Sequence, residues 1–259
     1  MALPELLLVD KPKGITSFDV IRQLRRQTGI KKFGHAGTLD PLASGLMLVG
    51  VEKGTKLLSG LIKLDKEYVA EIRLGESRTT GDLEGDIVEQ VDLGADQIER
   101  IQPELAGIVS NMIGEHTLPV SAYSAIKVDG VPMYKRARRA ELTGDTVIDI
   151  PVRTMVVHEA ELLGSEQQDS RLAVGVRFKV GSGTYIRSLA EELGRRLGLP
   201  ACLADLRRTQ RGVSHRGCTE VKRHPGVKTG ATCAPGLLLY VLPQCSGESV
   251  TSIPDMQKA

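Results

Sequence analysis

The chain has 259 residues, 41% of them hydrophobic, with three Phe, no Trp and a formal net charge of +2. That length allows one large domain or two smaller ones around a sizeable core, built on Leu, Val, Ile and Ala for want of aromatics. No run is long and apolar enough for a membrane span, residues 1–4 carry no basic signal-peptide region, and Cys202, Cys218, Cys233 and Cys245 show no C-x-x-C or zinc-ligand spacing, so a cytoplasmic protein with reduced thiols is expected.

Residues 6–9 are a short apolar run that predicts a strand, broken by Asp10-Lys11-Pro12-Lys13-Gly14. Thr16 and Asp19 have capping-box spacing. They predict a helix from about Ser17, with Val20, Ile21 and Leu24 inward, Arg22, Arg25 and Arg26 outward, and Gly29 as its stop. Next comes Gly34-His35-Ala36-Gly37-Thr38-Leu39-Asp40-Pro41-Leu42-Ala43-Ser44-Gly45. Pro41 pushes Asp40 out of the α region, and Gly37 and Gly45 open backbone conformations closed to other residues. Residues 46–51 read as a buried strand, so Asp40 is expected on a stiffened loop leading into the core. Taken alone, Asp before Pro is a common turn.

Residues 53–61 predict a short helix, and 66–75 a strand with Tyr68, Ala70, Ile72 and Leu74 on one face. By itself Tyr68 is a core tyrosine whose hydroxyl needs a partner, and Lys11 is a surface lysine. Asp96 is placed to cap a helix carrying Ile98, Ile101, Leu105 and Ile108, which Pro103 weakens or shortens. Strands are predicted over 146–163 and 172–180. Gly181-Ser182-Gly183 then turns the chain into a helix with Leu189, Leu193 and Leu197, stopping near Gly198. Residues 213–259 are rich in Gly, Pro, Ser and Thr apart from an apolar run at 237–241, and predict closing elements with a loose tail.

Charge is unevenly spread. One basic cluster holds Arg22, Arg25, Arg26, Lys31 and Lys32, a second Lys135, Arg136, Arg138 and Arg139, a third Arg207, Arg208, Arg211 and Arg216, while 76–104 is acidic. Any single cluster fits a solvated face. Together, on an almost neutral chain, they fit a local phosphate-binding face.

These segments together resemble the B-type tRNA pseudouridine synthases, bacterial enzymes that convert the uridine at position 55 of the tRNA T loop to pseudouridine. Gly-His-x-Gly-Thr-Leu-Asp-Pro-x-Ala-x-Gly at 34–45 resembles the family's signature loop, and residues 9–17 resemble its first motif, Leu-Asp-Lys-Pro-x-Gly-x-Thr-Ser. Lys66-x-Tyr68, ahead of Leu74-Gly75, resembles the second. Gly183-Thr184-Tyr185-Ile186-Arg187-Ser188-Leu189 resembles the third, with Gly181 where Ser is usual, and Leu206-Arg207-Arg208-Thr209 resembles a final one. Thr80 and Asp82 fit a Thr-x-Asp pattern, with Arg78 where Thr is usual. Segment 118–127 is similar to Gln-x-Pro-Pro-x-Tyr-Ser-Ala-x-Lys, but Leu118, Val120 and Ser121 replace the Gln and both Pro; the resemblance implies a loop near the RNA there, and Gly130, Tyr134, Ala137 and Arg138 continue the match into a basic helix. The match fades past about Gly212.

The resemblance implies an α+β pseudouridine synthase fold over residues 1–212: a large, mostly antiparallel or mixed sheet flanked by helices, with the RNA cleft across it. Residues 213–259 would be a short extension, without the complete RNA-binding PUA domain that many relatives carry. It implies Asp40 as the catalytic residue and His35 reaching into the RNA loop beside the flipped base. Tyr68 would stack on the uracil, Tyr185 pack against it and Leu206 line its pocket. Arg187 would pair with the Asp40 carboxylate, and Lys11 with Pro12 would build the floor nearby. The reaction breaks N1–C1′ and joins C5 to C1′, an isomerisation that requires no cofactor, and no metal is expected. Asp40 fits covalent attack at C1′ or at C6 of the base, or removal of a ribose proton. The nucleotide must be flipped out of the T loop. The expected partner is tRNA through its T-arm stem-loop, with no membrane, no obligate protein partner, and a monomer. Two other classes share these features. A tRNA-folding chaperone is opposed by the intact Asp40, Tyr68 and Arg187. An RNA-guided synthase of the archaeal and eukaryotic type needs partner subunits and normally carries a PUA domain.

Overall fold

The computed structural model describes residues 3–145, 150–211 and 238–241. After β1 (Leu6–Lys11), helix α1 (Ser17–Thr28) begins at the predicted capping box. Thr16 Oγ1 accepts from the Asp19 N–H at 3.1 Å, and the Asp19 carboxylate accepts from the Thr16 N–H at 2.8 Å. Gly29 closes the helix in the left-handed region at φ 72°. β2 (Phe33–His35) was not predicted; β3 (Ser44–Val51) was.

Every residue of β3 is buried, which is why its sequence is a continuous apolar run rather than an alternation. Met47, Val49 and Val51 join a core cluster with Leu7 and Val9 of β1 and Val20, Ile21 and Leu24 of α1. Leu48 joins a second cluster with Leu8, Ala36 and Leu58. The helix predicted over 53–61 is instead a 3₁₀ helix (Glu52–Lys56) followed by a single turn, α2 (Leu58–Leu61). Gly54 lies against the chain at Glu5, where a Cβ would stand 1.9 Å from the carbonyl oxygen. Strand β4 (Lys66–Leu74) alternates buried and half-buried residues along its whole length, with Tyr68, Ala70, Ile72 and Leu74 on the buried face as predicted.

Then come β5 (Glu76–Arg78), β6 (Ile87–Gln90), α3 (Ala95–Ser110) and β7 (Gly114–Pro119). Gly94, not Asp96, is the N-cap of α3, and Asp96 sits in the first turn, where the helix dipole favours a carboxylate. Pro103 neither stops nor shortens the helix. It faces solvent, and the buried stripe is Ile98, Leu105 and Val109, with Ile101 and Ile108 half-buried. β8 (Lys127–Val128) and β9 (Val131–Pro132) form a hairpin with Asp129 and Gly130 at φ 50° and 77°, the geometry of a type I′ turn. The basic helix α4 (Met133–Thr143) follows.

β10 (Val152–Gln168) starts after Pro151, later than the predicted 146 (residues 146–149 lie outside the described ones), and runs five residues beyond the predicted end at 163. Gly164 does not end it. The pairing with β11 (Arg171–Val180) shifts register between Leu162 and Gly164, so the glycine marks a bulge. α5 (Ile186–Leu197) buries Leu189 and Leu193 and ends at Gly198, as predicted. The chain continues through β12 (Ala201–Arg211) to β13 (Leu238–Val241), formed by the apolar run singled out near the C-terminus. The rest of the extension read at 213–259 lies outside the described residues.

The elements form two compact units, residues 1–69 with those from 206 on, and residues 70–205. β4 and β12 each run from one into the other. In the first unit β3 pairs antiparallel with β1 and β2, and parallel with β12 at Ser44 and Gly45; β13 adds antiparallel to β1. In the second, β10 is flanked antiparallel by β7 and β11. The class is α+β with predominantly antiparallel pairing, as expected. No helix among the described residues is long and apolar enough to cross a membrane.

Two stability predictions follow from these contacts. Gly45 has φ +103°, and a Cβ there would lie 2.3 Å from the Arg208 carbonyl oxygen. Gly45→Ala should therefore cost at least about 2 kcal/mol, from backbone strain and overpacking, read from denaturant midpoints. In the second unit, hydrogen bonds from Arg195 and Arg196 hold the Glu192 carboxyl down to about 2 against the opposing effect of burial. A carboxyl depressed in the folded state stabilises above its ordinary value of 4.5, and that contribution is lost as pH falls toward 2. Glu192→Gln should flatten the acid limb of stability against pH; identical limbs in urea titrations would contradict this.

Candidate active site

In the first unit the loop carrying Asp40 is held on both flanks. The Ser17 hydroxyl at the start of α1, 2% exposed, accepts from the Leu39 N–H at 2.8 Å and donates to the Leu39 carbonyl at 3.0 Å. On the other flank the Pro41 carbonyl accepts from the Gly14 N–H at 2.8 Å and from the Lys11 ammonium at 3.4 Å. Lys11 is fully buried and also donates to the Pro12 and Ile15 carbonyls at 2.9 and 2.7 Å. The surface reading of Lys11 is thus corrected; its ammonium donates to backbone carbonyls around the loop. The Asp40 carbonyl accepts from the Ala43 N–H at 3.1 Å, and its side chain is half-buried. His35 ends β2, half-buried and opposite Val49.

Tyr68 on β4 is 7% exposed, and Leu206 on β12 is 6% exposed. The hydroxyl that a buried tyrosine must satisfy accepts from Arg208 Nη1 at 3.5 Å. Arg208 was read as part of a phosphate-binding cluster, but it is 1% exposed. Strand parity could have revealed this: Leu206 and Arg208 are two residues apart and share a face. Its neighbour Arg207 points the other way and grips both carboxylate oxygens of Asp10, at 3.2 and 2.7 Å.

In the second unit Tyr185 caps the N-terminus of α5, its N–H directed at Met155 Sδ at 3.5 Å. Arg187, 5% exposed, donates to the Thr80 carbonyl at 2.7 Å, the Ser121 hydroxyl at 2.9 Å and the Tyr123 carbonyl at 3.2 Å, and stands 3.7 Å from the Asp82 carboxylate. Asp82 is itself held by Thr80 Oγ1 at 2.6 Å and the Glu84 N–H at 3.1 Å. A buried guanidinium with this many acceptors is unlike a surface ion pair, which contributes little. Arg78, the departure in the Thr-x-Asp segment, closes the β5–β6 turn by bonding Glu76 and the Gly85 carbonyl.

Sequence reading missed Ser17, taken only as a helix start, and Ser121, noted only as a departure from a Pro. Ser121 also donates to the Thr80 carbonyl at 3.0 Å, so it ties two acceptors of Arg187 together. Burial pushes the Cys202 thiol up to about 12, which removes it as a nucleophile. Among the described residues no group of three His, Cys, Asp or Glu is placed to hold a metal.

Residues 25–186 match the family described as "TruB family pseudouridylate synthase (N terminal domain)". The chain is 44% identical over 207 residues to tRNA pseudouridine synthase B of Leifsonia xyli subsp. xyli, and 43% identical over 207 residues to that of Corynebacterium efficiens. In each case the match covers 80% of this chain and 67% of the relative. Among solved structures it is similar to a chain of an H/ACA RNP bound to a substrate RNA containing 2′-deoxyuridine, at 28% identity and TM-score 0.53. It is likewise similar to one in an archaeal box H/ACA sRNP Nop10–Cbf5 complex, at 28% identity and TM-score 0.51. Both matches cover 80% of this chain and 48% of the other, so the chain spans about half the length of those structures.

The Ser121 contacts generate a prediction. Ser121→Ala leaves Arg187 one acceptor short in a buried site, which should cost about 1.5–3 kcal/mol, the range for hydrogen bonds to charged groups. Thermal and denaturant unfolding of the variant would check it, and an unchanged midpoint would mean that water replaces the hydroxyl.

Proposed function

The chain belongs to the TruB family of pseudouridylate synthases, and we propose that it isomerises uridine to pseudouridine at position 55 in the T loop of tRNA, by base flipping and with Asp40 as the catalytic residue. The observation that carries this reading is the doubly anchored loop: the residues on either side of Asp40 are both fixed to the segment 11–17 through Ser17, Gly14 and Lys11. A half-buried carboxylate on a backbone that cannot drift is what an attack on a sugar or a base requires, because misplacement by an ångström is costly in rate.

On this reading the flipped uridine stacks on Tyr68 and lies against Leu206, and His35 occupies the space the base has left. Tyr185 packs against the base. Arg187, preorganised on the backbone carbonyls of Thr80 and Tyr123, supplies fixed positive charge without reorganising during the reaction. The Asp40 carboxylate acts on the nucleoside, N1–C1′ breaks, the uracil turns while the pocket retains it, and C5 joins C1′. Atoms and electrons balance within the nucleotide, so the reaction calls for neither redox cofactor nor nucleotide. The exposed arginines and lysines of α1 and α4 are the candidate phosphate contacts. The names of the relatives support tRNA as substrate and, with it, a cytoplasmic place of work.

The test is to incubate the pure protein with whole tRNA and with an isolated T-arm stem-loop, then map pseudouridine. Modification at the T-loop uridine in both RNAs is expected. Binding and refolding of tRNA without modification would favour the chaperone reading instead. Asp40→Asn should abolish single-turnover product while RNA affinity stays within a few-fold, since affinity comes mainly from phosphate and stacking contacts. Appreciable product from this variant would remove Asp40 from the reaction.

A further inference from the structure

Arg208 is the largest fully buried side chain among the described residues, and its hydrogen-bond partners there are two carbonyls and a hydroxyl, with no carboxylate. Its Nε donates to the Leu46 carbonyl at 2.6 Å, its Nη1 to the Tyr68 hydroxyl at 3.5 Å and its Nη2 to the Gly37 carbonyl at 3.3 Å. Its guanidinium carbon lies 6.0 Å from the centroid of the Tyr68 ring, at the edge of cation–π range. Burying a cation on neutral oxygens alone is expensive, and apolar residues of similar volume often replace buried charges without loss of stability. Packing therefore gives no reason for an arginine here. Its three acceptors do. Gly37 lies in the loop that carries Asp40, Leu46 follows directly after that loop, and Tyr68 is the proposed stacking residue.

We propose that Arg208 is a positioning residue for the isomerisation: one rigid guanidinium sets the Tyr68 ring and the Gly37 and Leu46 backbone in register, and so sets the proposed stacking surface relative to the loop of Asp40. The planar fork is what makes this possible. Its donors point in fixed, diverging directions, whereas a lysine ammonium is a point donor on a flexible stem. Gly45 completes the device. The absence of a Cβ lets the Arg208 backbone approach β3 closely enough for the side chain to run back toward Gly37 and Leu46. The inference rests on the pseudouridine synthase reading and adds to it a residue that need not touch the RNA.

The experiment compares wild type, Arg208→Lys, Tyr68→Phe and the double variant on a T-arm stem-loop, with rates normalised to folded protein. Arg208→Lys should lower the single-turnover rate at least tenfold with KM and RNA affinity within about threefold. Because both single changes break the same contact, the double variant should be less impaired than the product of the two single losses. Arg208→Gln, planar but neutral, should recover part of the rate if orientation matters more than charge, and its failure to exceed Arg208→Lys would count against positioning. An Arg208→Lys rate within twofold of wild type, or fully multiplicative losses, would overturn the proposal. So would failure of both Arg208 variants to fold, which would make the residue a core strut. A wild type that forms no pseudouridine would instead sink the underlying function, a result distinct from any of these.

Discussion

The first unit depends on one close approach. At Gly45, β3 meets β12 with no room for a side chain, and the loop bearing Asp40 ends at that glycine. The approach places the Arg208 backbone beside the end of the loop, and the Arg208 side chain then reaches Gly37 near its beginning. The loop is thereby tied to a strand far away in sequence. A glycine with φ +103° is the residue that makes such a contact without strain.

A second set of bonds acts on the same loop from the chain preceding it. Lys11, Gly14 and Ser17 hold Leu39 and Pro41, so the residues on both sides of Asp40 have their backbone polar groups satisfied inside the protein. A surface loop normally leaves these groups to water and moves accordingly. Here the burial of Ser17 raises the cost of any motion, because an opened loop would strand its hydroxyl in the core. The result is a carboxylate that is accessible on a backbone that is not free.

What could be read from the sequence was what local patterns determine. The capping box at Thr16 and Asp19, the alternation through Tyr68 to Leu74 and the glycine stop at Gly198 are short-range signals, and the structure follows them. The misreadings came where a distant residue sets the outcome. The segment around Gly54 kinks beside Glu5, and Gly164 is a bulge because β11 continues past it. The site divided in the same way. Asp40 and Tyr68 sit in motifs dense enough to single them out. Arg208 was grouped by its charge with residues expected on the surface; strand parity with Leu206 signals its burial, but its partners at Gly37, Leu46 and Tyr68 are distant in sequence and only the fold brings them to it.

Ser121 shows how a departure from a family pattern can be absorbed. Where the family has a proline, this chain has a hydroxyl that accepts from Arg187 and donates to the Thr80 carbonyl. A proline could offer the guanidinium no side-chain acceptor. It would, however, hold the turn before Tyr123 by its fixed φ. The serine supplies the opposite combination: less restraint from its own backbone dihedrals, and more from hydrogen bonds to groups that must in any case be placed. In this chain the Tyr123 carbonyl accepts from Arg187 Nη2 beside that serine. A buried guanidinium selects for any arrangement that satisfies its donors, not for a particular residue.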